Sequence, residues 1–430
     1  MELLIKGGIV INPKTKTNEK LDVLIRDDIV VGIEKNIDIK NRKVIDAEGM
    51  IIAPGFIDIH VHLREPGFEY KETIETGTKS AAAGGFTTVA CMPNTNPAIH
   101  SKEIVEFIQE KAEKAGKANV LVIGSITKDL KGEELSDIDE MYKSGIVAIS
   151  DDGKTPMKEE IMIEAFKKAK KLNIPLISHC EDHNLSKGGS INAGKASERT
   201  KIEGIPSAAE YLIVKRDIEL CDMIDSKLHI AHVSTKESVQ LLRRAKSKGI
   251  NVTAEVAPHH FVLTDDIITS GNTYTKVNPP IRSKEDVDEI IKGILEGTID
   301  IIATDHAPHD ESSKNTSYDK ASFGITGLET AFSLSYTYLV KKNKLPLIKL
   351  IEMMTIKPAE IIGIDKGSLE VGKKADIVIV DLNKEYIIDS DKFYSKGKNT
   401  PFNGYKVMGK PIYTIMNGKI VYKEDKIICS

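Results

Sequence analysis

Apolar residues in the first fifty positions fall in short runs broken by Gly, Asn and Asp: Leu3 to Ile11, Asp22 to Ile33 and Val44 to Ile51. Partial alternation of Ile and Val with polar residues, bounded by turn formers, predicts strands. The last sixty positions repeat the pattern at Ala375 to Leu382, Tyr386 to Ile388, Ile412 to Met416 and Lys419 to Tyr422. Asn417-Gly418 between the last two runs predicts a hairpin, because both turn residues need positive φ. Strand-rich ends around a different middle predict one small β-sandwich domain built from residues 1–53 and 365–430.

The middle alternates between two periods. Apolar runs predict strands at Phe56 to His62, Thr87 to Met92, Val120 to Ser125, Val147 to Asp151, Pro175 to His179, Leu228 to Val233, Asn251 to Val256 and Asp300 to Thr304. Helical patterns lie between them, such as Glu103 to Ala115 and Lys158 to Leu172. His60 and Asp305, at the ends of the first and last of these strands, are 245 residues apart, about 35 per strand–helix step. Eight such steps predict an α/β fold, a (β/α)8 TIM barrel over residues 54–364. The competing architecture, a doubly wound open sheet, prefers a Gly-rich phosphate turn after its first strand. This chain has His-Val-His-Leu-Arg there.

Composition narrows the function classes. Of 430 residues, 40% are hydrophobic and 29% charged, as in a globular protein. The 60 basic and 64 acidic residues leave a formal net charge of -4, with no footprint for nucleic acid or an anionic membrane. The longest apolar runs fall far short of the ~20 residues of a membrane span. No basic segment followed by an apolar stretch opens the chain. Cys91, Cys180, Cys221 and Cys429 are scattered without a CxxC pair, so free thiols and a cytoplasmic location are expected.

Polar residues gather where the predicted strands end: His60 and His62, Asn94, Asp151 and Asp152, His179, His232, Asn278, then Asp305, His306 and His309. Barrel enzymes carry their catalytic residues at the C-terminal ends of several strands. His60 and His62, two apart on a strand, leave the same face, and neighbouring imidazoles suit a divalent transition metal such as zinc. His179 or His232 alone reads as a core histidine, and a buried Asp305 without a partner would be costly. Taken jointly, four histidines and two strand-end aspartates fill two metal sites.

The constellation resembles the amidohydrolase superfamily, whose barrels hold one or two metals through HxH after strand 1, a bridging anion after strand 4, histidines after strands 5 and 6, and an aspartate after strand 8. Longer motifs are more specific: Pro54-Gly55-Phe56-Ile57-Asp58-Ile59-His60-Val61-His62-Leu63-Arg64-Glu65-Pro66-Gly67, Met92-Pro93-Asn94-Thr95, Asn278-Pro279-Pro280-Ile281-Arg282 and Ala303-Thr304-Asp305-His306-Ala307-Pro308-His309. These are similar to the dihydroorotase family in its longer bacterial and archaeal form, from Leu3 to about Val421. The resemblance implies reversible cyclisation of N-carbamoyl-L-aspartate to (S)-dihydroorotate, the third step of pyrimidine synthesis, with two divalent ions per chain, zinc favoured. It implies metal ligation by His60, His62, Asp152, His179, His232 and Asp305, with Asp305 also moving the proton. HxH and Asp-His-Ala-Pro-His are shared with hydantoinases and allantoinases, the alternative activity; a non-catalytic scaffold relative would be expected to have lost ligands.

The chemistry agrees with this resemblance. Opening an unactivated cyclic amide needs a strong nucleophile and an electrophile on its carbonyl oxygen, and a pair of metals with a shared hydroxide provides both. A nearby carboxylate can carry the proton to the leaving nitrogen.

Two features depart from many members of the superfamily. Where they bridge metals with a carbamylated lysine, this chain reads Ser150-Asp151-Asp152-Gly153. The residue types do not choose between the aspartates; spacing in the resembling proteins favours Asp152. The Gly-, Ser- and Lys-rich segment 186–201 reads either as a mobile loop or as a solvated connection. Arg64, two positions beyond His62, is expected near the same mouth, where a guanidinium matches a substrate carboxylate; the alternative is a surface ion pair with Glu65 or Glu69. By resemblance, Asn94 and His309 share that carboxylate, His62 lies close enough to touch substrate, and Asn278 with the backbone at Phe323 and Gly324 holds the ring's polar edge. His259, His260 and His306 are expected in supporting roles. The resemblance also admits a homo-oligomer and an association with aspartate carbamoyltransferase.

Overall fold

The computed structural model describes residues 2–39 and 41–428, so Cys429 lies outside the described residues. Eight strands, Phe56–Val61, Phe86–Cys91, Asn119–Ser125, Ile146–Ser150, Leu176–Ser178, Leu228–Ile230, Val252–Val256 and Ile301–Ile302, pair in parallel and in chain order. The ring closes where the His62 N–H donates to the His306 carbonyl at 2.9 Å, beside a parallel bridge between Val61 and His306. The result is a (β/α)8 barrel. Parallel strands covered on both faces read as nearly continuous apolar runs, which is why this sequence displays them so plainly.

The surrounding helices bury one stripe each. Lys102–Ala115 buries Val105, Ile108 and Ala112 and ends at Gly116 in the left-handed region, while Glu159–Leu172 buries Met162, Ala165, Phe166 and Ala169. Ile57, Ile59, Ala90, Ile123, Ala148, Ile177 and Ile301 form one apolar cluster with Ala359 and Ile362 of the helix Ile356–Ile362. The barrel is thus a packed core, with polar chemistry confined to the strand ends.

Two further sheets form the β-sandwich. One orders Ile29–Glu34, Asp22–Arg26, Glu2–Lys6 and Lys43–Asp46; the other places Ile51–Pro54 between Ile9–Asn12 and the long strand Ile377–Ile387. Leu3, Ile5, Val23, Ile25 and Ile45 from the first sheet meet Val10, Ile52, Ile377, Ile379 and Ile415 from the second. The hairpin at Asn417-Gly418 is present, with φ of 48° and 74°. A Cβ on Gly418 would lie 1.9 Å from the Asp27 carbonyl oxygen, so glycine is required there.

The run Leu3 to Ile11 is two strands, broken at Gly7-Gly8 and placed in different sheets. The run Asp22 to Ile33 is likewise a hairpin turning at Asp27, whose φ is 56°. Segment 186–201 has structure of its own: Ile191–Asn192 pairs with Gly204–Ile205, and Lys195–Thr200 is helical. No helix among the described residues is long and apolar enough to cross a membrane.

Candidate metal centre and active site

The first barrel strand delivers His60 and His62 into the interior, where both rings are almost wholly buried. His62 Nε2 lies 3.0 Å from Asp305 Oδ1, and His60 Nε2 lies 3.6 Å from the same oxygen and 3.3 Å from Asp152 Oδ1. Asp152 follows strand 4. Its Oδ1 is 3.6 Å from His179 Nδ1 and 3.7 Å from His232 Nε2, while its Oδ2 is 3.5 Å from His62 Nε2. The donors of His60, Asp152 and His232 lie within 4.8 Å of one another, and so do those of His60, His62 and Asp305.

Two observations test whether these residues suit metal ions. His60 Nε2 and Asp152 Oδ1 are buried yet find no hydrogen-bond partner among the described residues, and so does His232 Nδ1. Orphaned polar atoms of this kind are costly unless something else satisfies them. The charge balance points the same way. Burial alone would keep His60 neutral, but Glu255 and Asp152 raise its pKa well above the ordinary imidazole value. Burial opposes the charged form of Asp305 too, yet the His62 hydrogen bond and the nearby imidazoles hold it at about 2. A pocket of anionic oxygens that draws protons onto its histidines is one arranged for positive charge, and imidazole with carboxylate is a donor set for divalent ions. The residues fit.

The backbone is strained at the same place. Arg64, His232 and Asp305 have φ of 62°, 32° and 48°, a region that costs non-glycine residues energy and concentrates at functional sites. Supporting contacts aim the ligands. Glu255, on strand 7, reaches His60 Nδ1 with Oε1 and His229 Nε2 with Oε2 at 3.1 Å, and accepts the His232 N–H at 3.2 Å. Asp58 accepts the N–H groups of His60 and Thr304. Asn94 Oδ1 sits 2.8 Å from His62 Nδ1.

A cavity of about 200 Å³ opens onto this cluster, lined by His62, Arg64, Asn94, Asp152, His179, His232, Asn278, Asp305, His309, Phe323 and Gly324 among others. Drug-sized ligands occupy about 300–1,000 Å³, so this volume suits a smaller metabolite. Larger clefts of about 590 and 770 Å³ lie elsewhere, and neither is lined by these clustered histidines.

Arg64 is only 9% exposed, which removes the surface ion-pair reading; Glu65 instead accepts from the Ile74 N–H and pairs with Lys111. The Arg64 guanidinium donates to the Pro308 carbonyl and stands 3.3 Å from His309 Nε2. His309 Nε2 is also 2.8 Å from the Phe323 carbonyl, and its Nδ1 is buried without a partner among the described residues. Burial first, and Arg64 second, push the His309 pKa down to about 2, so the ring is neutral and Arg64 carries the positive charge. Asn278 Nδ2 donates to Glu181 Oε2 at 2.8 Å, the oxygen that also lies 3.0 Å from His179 Nε2. The Gly324 N–H is already given to the Lys276 carbonyl.

Asp151 points elsewhere, accepting the N–H groups of Ile126 and Thr127. His306 Nδ1 accepts from the N–H groups of Gly327 and Leu328, and His260 Nε2 lies 3.0 Å from the Pro279 carbonyl. His259 is buried beside His260, its Nε2 without a hydrogen-bond partner among the described residues. Sequence reasoning missed Glu255, Asp58 and Glu181. Each left one signal, an acid inside an apolar strand or within three residues of its end.

Fold and site together define a metal-dependent barrel hydrolase. The amidohydrolase family pattern matches residues 51–421, and the chain belongs to that family, whose membership implies divalent metal use. The chain is 50% identical over 426 residues to the dihydroorotase of Acetivibrio thermocellus, covering 99% of this chain and all of that one. It is also 50% identical to the dihydroorotase of Caldanaerobacter subterraneus subsp. tengcongensis, over 99% of this chain and 98% of the relative. Among solved structures, the L-hydantoinase (dihydropyrimidinase) of Arthrobacter aurescens superposes with a TM-score of 0.90 at 26% identity, over 100% of this chain and 97% of that one.

Proposed function

We propose that this chain is a dihydroorotase, a cyclic amidohydrolase that interconverts (S)-dihydroorotate and N-carbamoyl-L-aspartate in pyrimidine synthesis. The observation that carries the reading is the buried Arg64 beside neutral His309, on the wall of the cavity that also holds the His–Asp cluster. Both proposed reactants bear a carboxylate that such a guanidinium recognises; a plain hydantoin does not. The whole-length relatives at 50% identity support the same substrate.

In this reading His60, His62, Asp152, His179, His232 and Asp305 would hold up to two divalent ions, with Asp152 the candidate to be shared between them. Zinc suits the donors, and metal there supplies an activated water and an electrophile for the ring carbonyl. Arg64 takes the substrate carboxylate, with Asn94 beside it, and neutral His309, its Nε2 proton given to the Phe323 carbonyl, walls the same cradle. Asn278, with the main chain at Phe323 and Gly324, borders the ring's polar edge. In the hydrolytic direction the ring C–N bond breaks, the carbonyl carbon gains the water oxygen, and Asp305 passes the water's proton to the departing nitrogen. Cyclisation runs the same transfers backwards.

The accompanying domain division assigns 54–364 to the catalytic barrel and 1–53 with 365–430 to the β unit, in keeping with the pairing of Ile51–Pro54 with Ile377–Ile387. A cytoplasmic setting goes with this pathway and with the free buried thiols of Cys91, Cys180 and Cys221. A homo-oligomer and association with aspartate carbamoyltransferase remain part of the proposal through the family resemblance alone. Steady-state assay of dihydroorotate against hydantoin and allantoin tests the substrate: preference for dihydroorotate supports the reading, and preference for either carboxylate-free ring moves the assignment to a hydantoinase or allantoinase.

A further inference from the structure

The turn 322–324 forms one wall of the cavity, and two lysines hold it from behind. Lys314 is 1% exposed; its Nζ donates to the carbonyls of Ser322 at 2.7 Å, Gly324 at 3.0 Å and Lys276 at 3.3 Å. Lys276 is 2% exposed; its Nζ donates to the carbonyls of Tyr318 and Asp319 and sits 4.4 Å from the centre of the Phe323 ring. Burying an ammonium is costly unless its donors are spent, and Lys314 spends all three on main-chain oxygens. Among the described residues no carboxylate pairs with it, and burial brings its pKa down to about 7.

This arrangement leads directly to the proposed carboxylate cradle. Phe323, between the two clamped carbonyls of Ser322 and Gly324, presents its own carbonyl 2.8 Å from His309 Nε2, which stands 3.3 Å from Arg64. A proton on Nε2 donates to that carbonyl, so the Phe323 oxygen selects the tautomer and angle of the ring. Gly324 (φ +123°) presses on the same segment: a Cβ there would lie 2.6 Å from that of Ala307. Asn399 Nδ2 adds a second donor to the Gly324 carbonyl, while its Oδ1 accepts the His309 N–H.

We propose that Lys314 is a positioning residue for substrate recognition: by tying Ser322, Gly324 and Lys276 together it fixes the Phe323 carbonyl, and through it the orientation of His309 beside Arg64. The inference rests on the dihydroorotase reading and adds a residue that touches neither metal ligand nor substrate.

The test is Lys314→Met, followed by steady-state kinetics in both directions and metal analysis. A lost positioning contact weakens binding without touching chemistry, so KM for carbamoyl-aspartate and dihydroorotate should rise about tenfold, with kcat within about threefold of wild type and metal content unchanged. Unchanged KM in a folded, metal-replete variant overturns the proposal, as does a fall in kcat at constant KM. Should the variant fail to fold, Lys314→Gln, which keeps a donor for the turn carbonyls, should give a smaller KM rise at unchanged kcat; unchanged KM there overturns the clamp. Wild-type enzyme inactive on dihydroorotate would instead overturn the functional reading beneath it, an outcome read from the control alone.

Discussion

Asp151 and Asp152, adjacent in the chain, face different parts of the molecule. Asp151 Oδ1 accepts the N–H groups of Ile126 and Thr127 at 2.8 and 3.0 Å, while Asp152 Oδ1 lies 3.3 to 3.7 Å from ring nitrogens of His60, His179 and His232. Alternation along a strand end accounts for the divergence, and the geometry favours Asp152 as the proposed bridge between metals.

Asp152→Ala should therefore lose at least one metal per chain, read by elemental analysis after gel filtration. Asp151→Ala should retain metal and lose stability by about 1–3 kcal/mol, the cost of stranding buried donors. Because an aspartate bridge needs no carbon dioxide, reconstitution should proceed equally in carbonate-free and bicarbonate-supplemented buffer. A bicarbonate requirement would point to a carbamylated lysine instead.

Asp305→Asn should lower kcat by about 10²-fold or more while the fold persists, the scale of losing a general acid–base group. Near-normal turnover in both directions would assign the proton to another residue.

Arg64→Met should weaken both carboxylate substrates by about 2–5 kcal/mol and leave metal content intact, since it strands one partner of a buried charged contact. Calorimetric binding of carbamoyl-aspartate reads the loss. Equal affinity in the variant would mean that the carboxylate docks elsewhere.

Glu329 lines the cleft of about 590 Å³ and takes no part in the proposed chemistry. Burial raises its pKa from 4.5 to about 7, against the N–H donors of Ser395 and Tyr394 and the Ser80 hydroxyl, which lower it. The folded state then binds more protons than the unfolded one between those values, so this group's contribution falls as pH rises from 4.5 to 7. Glu329→Gln, which stays neutral, should flatten that decline: its melting temperature relative to wild type should be higher at pH 8 than at pH 5. A difference independent of pH would place the titration on another group.

The barrel was legible because its strands are buried on both faces and read as apolar runs; even the two-residue strand Ile301–Ile302 was marked by the cluster Asp305, His306 and His309 after it. The ends were harder. Gly7-Gly8 splits one apolar run between two sheets, and only tertiary pairing reveals it. In the site, histidines and aspartates at strand ends announced themselves by type and spacing. Glu255 was missed because a lone acid inside an apolar strand has no motif, although its buried charge demands partners, here His60 and His229. Lys314 and Asn399 left no local signal, since their importance lies in which carbonyls they reach across the fold.

That the protein is a metal-dependent enzyme acting on a carboxylate-bearing ring is tested most directly by carbamoyl-aspartate cyclisation by purified protein, before chelation, after it, and after restoring zinc. Turnover should disappear with the metal and return with up to two ions per chain. Full activity in exhaustively chelated, metal-free protein, or no conversion of carbamoyl-aspartate and dihydroorotate by the metal-replete form, would contradict it.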